Sequence, residues 1–129
     1  MLFRSILNPN NAGAITVLVE NSSMSGFTSP PGTKPIAAVT ATHPADKTLG
    51  KMIIDLGGGP LGSRGRNRFV GNPGLDISAT NANAAAAPIR VDASNNYWGG
   101  GPPATAADVA VSGNVTFNAP AHLTTDPAR

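Results

Sequence analysis

The stretch AITVLVEN, positions 14–21, places Ile15, Val17 and Val19 on one face and Thr16, Leu18 and Glu20 on the other. That alternation is the mark of a half-buried strand. A second apolar run, KMIIDLGG at 51–58, leads into a glycine-rich turn and then RFVGNPGLDIS. A third, PIRVDASNNYWGG at 88–100, follows NANAAAAP, which reads as a short helical turn or plain loop. Residues 36–49 predict a weak strand followed by a loop, and NVTF at 114–117 predicts the last strand. TSPPGTKP at 28–35 is a Pro/Gly loop that neither a helix nor an inner strand accommodates.

These runs form an imperfect repeat. An apolar residue followed by an acid recurs at Val19-Glu20, Ile54-Asp55 and Val91-Asp92, spaced by 35 and 37 residues. After each comes a turn region and then a phenylalanine with a proline close behind: Phe27 and Pro30, Phe69 and Pro73, Phe117 and Pro120. Short strands with variable turns cannot bury an apolar face alone. Stacked in parallel at ~4.8 Å they make one continuous apolar column, and long turns project from it without disturbing it. The prediction is an all-β parallel β-helix, a β-solenoid of about three imperfect coils with long turns, over 14–127. Residues 1–13 read as a segment foreign to the domain, and 128–129 as a tail. On this reading Glu20, Asp55 and Asp92 share one face, and Asn21, Asn72 and Asn95 are candidates for stacked turn amides.

Composition agrees. The 129 residues suffice for one domain; charged residues are 12% and aromatics 5%, whereas Gly and Pro total 27 and Asn 12. Such a chain favours turns over long helices. No stretch approaches the ~20 apolar residues of a membrane span. With no cysteine, a disulfide framework and a thiolate metal site are excluded. Net charge is +2 and the one basic cluster is SRGRNR at 63–68. A nucleic-acid surface needs a broader basic field interleaved with aromatics, so none is expected.

GGGPLGSRGRNRFVGNPGLDI followed by VDASNNYWGG resembles the last coils of right-handed parallel β-helix repeat proteins of the pectin-lyase-like superfamily. The resemblance rests on Gly57-Gly58-Gly59, on Asn67-Arg68-Phe69-Val70-Gly71-Asn72, on Asn95-Asn96-Tyr97-Trp98-Gly99 and on the closing SGNVTFNAPAHLTTDP. It covers 52–127 well and 14–27 less well, and its motifs specify a fold better than an activity. It implies right-handed coils, with Asn72, Asn95, Asn96, Tyr97, Trp98 and Gly99 as turn and cap residues. An open β-helix end invites edge-to-edge aggregation, and Trp98, the one tryptophan, is suited to closing it. No cap precedes Ile15, and three coils lie near the lower limit for a stable stack. The chain is therefore expected to be a C-terminal piece of a longer solenoid, or to cover its open end by self-association.

Chemistry is sparse. No catalytic residue, metal site or cofactor is assigned; the acids are scattered, and a row of them is at most a weak Ca²⁺ site. His43 and His122 lie far apart with no second ligand at metal spacing, and no nucleophile elbow or P-loop occurs. The candidate binding residues are Asp55, Asp92, Arg64, Arg66 and Arg68. The expectation is an extracellular or cell-surface structural and interaction module with weak glycan binding. The alternative is the C-terminal portion of a polysaccharide lyase or hydrolase whose catalytic coils lie upstream. Expected partners are a polysaccharide, the chain's own upstream coils, or a second copy.

Overall fold

The structure, a computed structural model, describes residues 13–27, 31 and 37–127. Most of the N-terminal segment, most of the loop at 28–36 and residues 128–129 lie outside the described residues. The elements are seven short strands: β1 Ile15–Leu18, β2 Val39–His43, β3 Met52–Gly57, β4 Ile77–Asn81, β5 Ile89–Ala93, β6 Val109–Gly113 and β7 Val115–Asn118. Among the described residues there is no helix, and NANAAAAP runs from Asn81, the last residue of β4, into a turn at 84–86.

Odd and even strands part company. One sheet has the order β1-β3-β5-β7 and the other β2-β4-β6, and every pairing is parallel. Outside the seven strands, parallel bridges join Ser23 to Arg68 and Arg68 to Tyr97. The protein is thus all-β with parallel sheets of short strands, an arrangement compatible with a solenoid.

Alternation within each strand becomes rows across the strands. Ile15, Met52, Ile89 and Val115 align, as do Val17, Ile54, Val91 and Phe117. In the second sheet Val39, Ile77 and Val109 form a row beside Ala41, Ala79 and Val111. The middle members are buried, as are Ala41 and Val109 at the outer strands, whereas Ile15, Val17, Val39, Val115 and Phe117 are half-buried and Val111 is exposed. Each fully buried Ile or Val contributes roughly 1.5–3 kcal/mol, so the interior coil carries most of the hydrophobic stabilisation. Met24, Phe69 and Trp98 follow the bridged residues Ser23, Arg68 and Tyr97, and all three are buried in the same core.

The coils approach closely at Gly57. A Cβ there would lie 1.9 Å from the Ser94 carbonyl oxygen, and the Gly57 carbonyl accepts a hydrogen bond from the Ser94 N–H at 2.9 Å.

The register corrects part of the sequence reading. Leu18, not Glu20, lies over Asp55 and Asp92, so only two of the three acids share a row. The Glu20 carboxylate instead accepts from the Arg64 N–H at 2.9 Å. Phe117 lies on β7 over Val91, so it is no counterpart of Phe69. β6, at Val109–Gly113, is a strand that the apolar pattern did not single out.

Candidate functional site

Asp55 and Asp92 are neighbours in register, yet their environments differ. Asp55 sits at a bulge near the end of β3 and is fully buried. Its Oδ1 accepts from the N–H groups of Gly57 and Gly59 at 3.1 and 3.0 Å, and its Oδ2 from those of Leu61 and Ser63 at 2.9 and 3.3 Å. A carboxylate that gathers four backbone donors organises the whole 57–63 turn. The turn can close this tightly because residue 59 is glycine: a Cβ there would stand 2.6 Å from the Asp55 Cγ.

Asp92 faces the next coil. The Arg90 guanidinium grips it through Nε at 2.6 Å and Nη2 at 3.0 Å, and Asn118 Nδ2 donates to its Oδ1 at 3.0 Å. The hydrogen bonds and charge of Asp92 raise the Arg90 pKa above its ordinary value. Arg90, Asp92 and Asn118 form the polar side of an open groove of about 580 Å³, with Phe117, Ala119 and Pro120 on its apolar side. The paired planar side chains and the aromatic ring suit hydroxyl-bearing ligands such as sugars.

The three arginines lie apart from that groove. Arg68 forms an ion pair with Asp126, Nε to Oδ2 at 2.8 Å, while the side chains of Arg64 and Arg66 are exposed. Arg66 and Arg68 border a smaller groove of about 140 Å³ with Asn21, Ser22, Ser23 and Pro127. The structure therefore does not bring Asp55, Asp92 and the arginines to one place.

Asparagines tie the coils together. The Asn67 Nδ2 donates to the carbonyls of Val19 and Leu56 and to Asn96 Oδ1, which also accepts from the Asn67 N–H at 2.9 Å. Asn96 Nδ2 donates to the Ala93 carbonyl at 2.8 Å. Both amides are fully buried; Asn67 stood in the sequence only as the first residue of a turn motif, and its bond to Asn96, 29 residues on, is visible only in the structure. Asn72 bridges coils differently, accepting from the Phe27 N–H at 3.0 Å and donating to the Met24 carbonyl at 2.9 Å. Tyr97 supplies a bridge to Arg68. Trp98 is stacked on Phe69, and Gly99 follows it in a left-handed conformation, φ 85°.

Two buried titratable groups lie in the β2-β4-β6 sheet region. Burial pushes the Asp76 carboxyl up to about 6, against the opposing hydrogen bond from Asn72 and with the help of the Asp108 charge. His43 is fully buried with both ring nitrogens lacking a hydrogen-bond partner. Burial lowers its pKa by more than the nearby Ala87 backbone raises it. Among the described residues no three of His, Asp or Glu converge as metal ligands, and no helix is long and apolar enough to cross a membrane.

No family model, characterised protein or solved structure matches this chain.

Proposed function

We propose that the chain is a right-handed parallel β-helix of the pectin-lyase-like type, serving as an extracellular or cell-surface structural and interaction module with weak glycan binding. The alternation of strands between two all-parallel sheets supports the solenoid. Parallel crossovers are right-handed in about 98% of cases, which supports the hand.

One observation carries the functional reading. The carboxylates best placed for chemistry are committed to the fold, Asp55 to four backbone N–H groups and Asp92 to Arg90 and Asn118. Hydrolysis of a glycosidic bond needs two carboxyl groups free to act across it. The open groove along Arg90, Phe117 and Asn118 is suited to shallow sugar contact. Interaction with a second copy is favoured at the outer strands: ITVL of β1 and VAVSG of β6 carry no charge or proline to block edge pairing.

Purified protein incubated with neutral and acidic polysaccharides, with and without Ca²⁺, tests the reading by light scattering of polymer length. Unchanged polymers, together with millimolar-range retardation in affinity electrophoresis that Arg90→Ala weakens, are expected. Shortening of any polymer overturns the module reading in favour of a polysaccharide-active enzyme.

A further inference from the structure

Three backbone positions, one in each coil, share a left-handed conformation: Asn21 at φ 52°, Arg66 at φ 62° and Asn95 at φ 58°. They stack. The Asn21 N–H donates to the Gly65 carbonyl at 3.0 Å, the Arg66 N–H donates to the Asn95 carbonyl at 2.7 Å, and all three stand two residues before the bridged Ser23, Arg68 and Tyr97. Asparagine tolerates this conformation because its short polar side chain bonds locally, whereas a long side chain such as arginine is strained there. Two of the three positions hold the residue the backbone prefers. The middle one does not, and a strained residue kept where a relaxed one fits marks a functional position.

The Arg66 side chain borders the 140 Å³ groove with Asn21, Ser22, Ser23, Arg68 and Pro127. Among the described residues its guanidinium makes no ion pair or hydrogen bond. A guanidinium offers five donors and no acceptor, in a fork that fits an oxyanion. The neighbouring arginine already does this within the molecule: Arg68 holds the Asp126 carboxylate at 2.8 Å. Asn21 adds an exposed amide and Ser23 a hydroxyl shared with Ser25 at 3.1 Å, whereas the Ser22 hydroxyl is spent on the Glu20 carbonyl. The Asp126 carboxylate is held by Arg68 and the Glu20 carboxylate accepts from the Arg64 backbone N–H, so neither is paired with the Arg66 guanidinium.

The geometry points to an oxyanion-binding site in this groove, with Arg66 as its principal ligand and Asn21 and Ser23 as supporting donors. The ligand is a sulfate, phosphate or carboxylate group, free or carried on a larger molecule. This site is separate from the Arg90–Asn118 groove and does not depend on its binding sugar.

The test is titration of the full chain with sodium sulfate, sodium phosphate and sodium acetate at an ionic strength held constant with chloride. Binding is followed by amide and Arg Nε–H NMR shifts. The expected result is a saturable shift confined to Asn21, Ser22, Ser23 and the Arg66 Nε–H. A response to sulfate or phosphate alone assigns a tetrahedral group, and a matching response to acetate assigns a carboxylate; either supports the site. Arg66→Asn should weaken binding at least about tenfold while raising Tm by a few degrees, since it relaxes the backbone. Opposite signs of the two effects separate lost binding from lost folding. Shifts that do not saturate, or an Arg66→Asn variant that binds as the parent does, would overturn the proposal.

Discussion

Phe69 and Trp98 lie face to face, their ring centroids 4.4 Å apart and their planes 9° from parallel. The contact joins one coil to the next inside the core, and Trp98 is only 8% exposed. Its ring contributes packing, but its Nε1 is buried without a partner. Trp98→Ala should therefore cost ~3–5 kcal/mol, whereas Trp98→Phe, which keeps an aromatic ring and removes the orphaned donor, should cost about 1 kcal/mol or less. Urea unfolding measures both. Because Trp98 is the sole tryptophan, its emission should shift to the red in a single step on unfolding.

Asp55 is the internal anion of the 57–63 turn. Asp55→Ala strands four backbone donors, and Asp55→Asn turns an NH₂ toward two of them. Each should destabilise the fold by ~3–5 kcal/mol. Hydrogen exchange should show Gly57, Gly59, Leu61 and Ser63 losing protection first. Equal protection in the variant and the parent would mean that the turn is held by something other than this carboxylate.

Asp76 and His43 pull stability in opposite directions across the same mildly acidic window. The folded-state pKa of Asp76, about 6, exceeds the ordinary 3.8, so the folded chain holds this proton more tightly than the unfolded one. Its contribution is lost as pH rises from about 4 through 6. His43 acts in the opposite sense, because burial lowers its pKa below 6.5 and stability falls as pH drops below that value. Asp76→Asn should abolish the loss between pH 4 and 6 and gain roughly 2–3 kcal/mol at neutral pH. His43→Leu should leave the Asp76 loss unopposed and so steepen the fall of stability as pH rises through this window. Urea midpoints from pH 4 to 8 read all three proteins.

Val111 shares a row with the buried Ala41 and Ala79, yet it is 46% exposed at the outer edge of β6. An uncharged edge strand pairs readily with another. Val111→Lys should reduce concentration-dependent association in sedimentation velocity while changing stability by no more than about 0.5 kcal/mol. An unchanged distribution of species would place the association elsewhere.

The sequence made the inward rows legible where strands alternate cleanly. Ile15 and Val17 in β1 were readable from period two, and Ile54 and Val91 from the apolar-acid repeat, although that repeat aligned them with Val19 where the sheet places Val17. Register in the first coil was not readable. The acid after Val19 invited alignment with Asp55, but Asp55 serves a turn whose path no local pattern encodes, and the first coil places Leu18 there. Phe117 misled for a related reason: the step from Ile89 to Val115 is 26 residues, against 37 from Met52 to Ile89. Of the sites, SRGRNR drew attention as a basic cluster. The strained backbone of Arg66 is visible only once Asn21 and Asn95 are seen to stack with it.

The same unequal steps bear on how such a chain grows. Ile15, Met52 and Ile89 recur every 37 residues, and the next rung, Val115, arrives after 26. Eleven residues more or fewer leave the row intact, because each rung is recognised by its neighbours and not by its distance along the chain. A gene segment duplicated over one whole turn would encode a copy whose contacts already exist above and below it. Evolution can therefore set the length of this protein rung by rung, without inventing an interface each time.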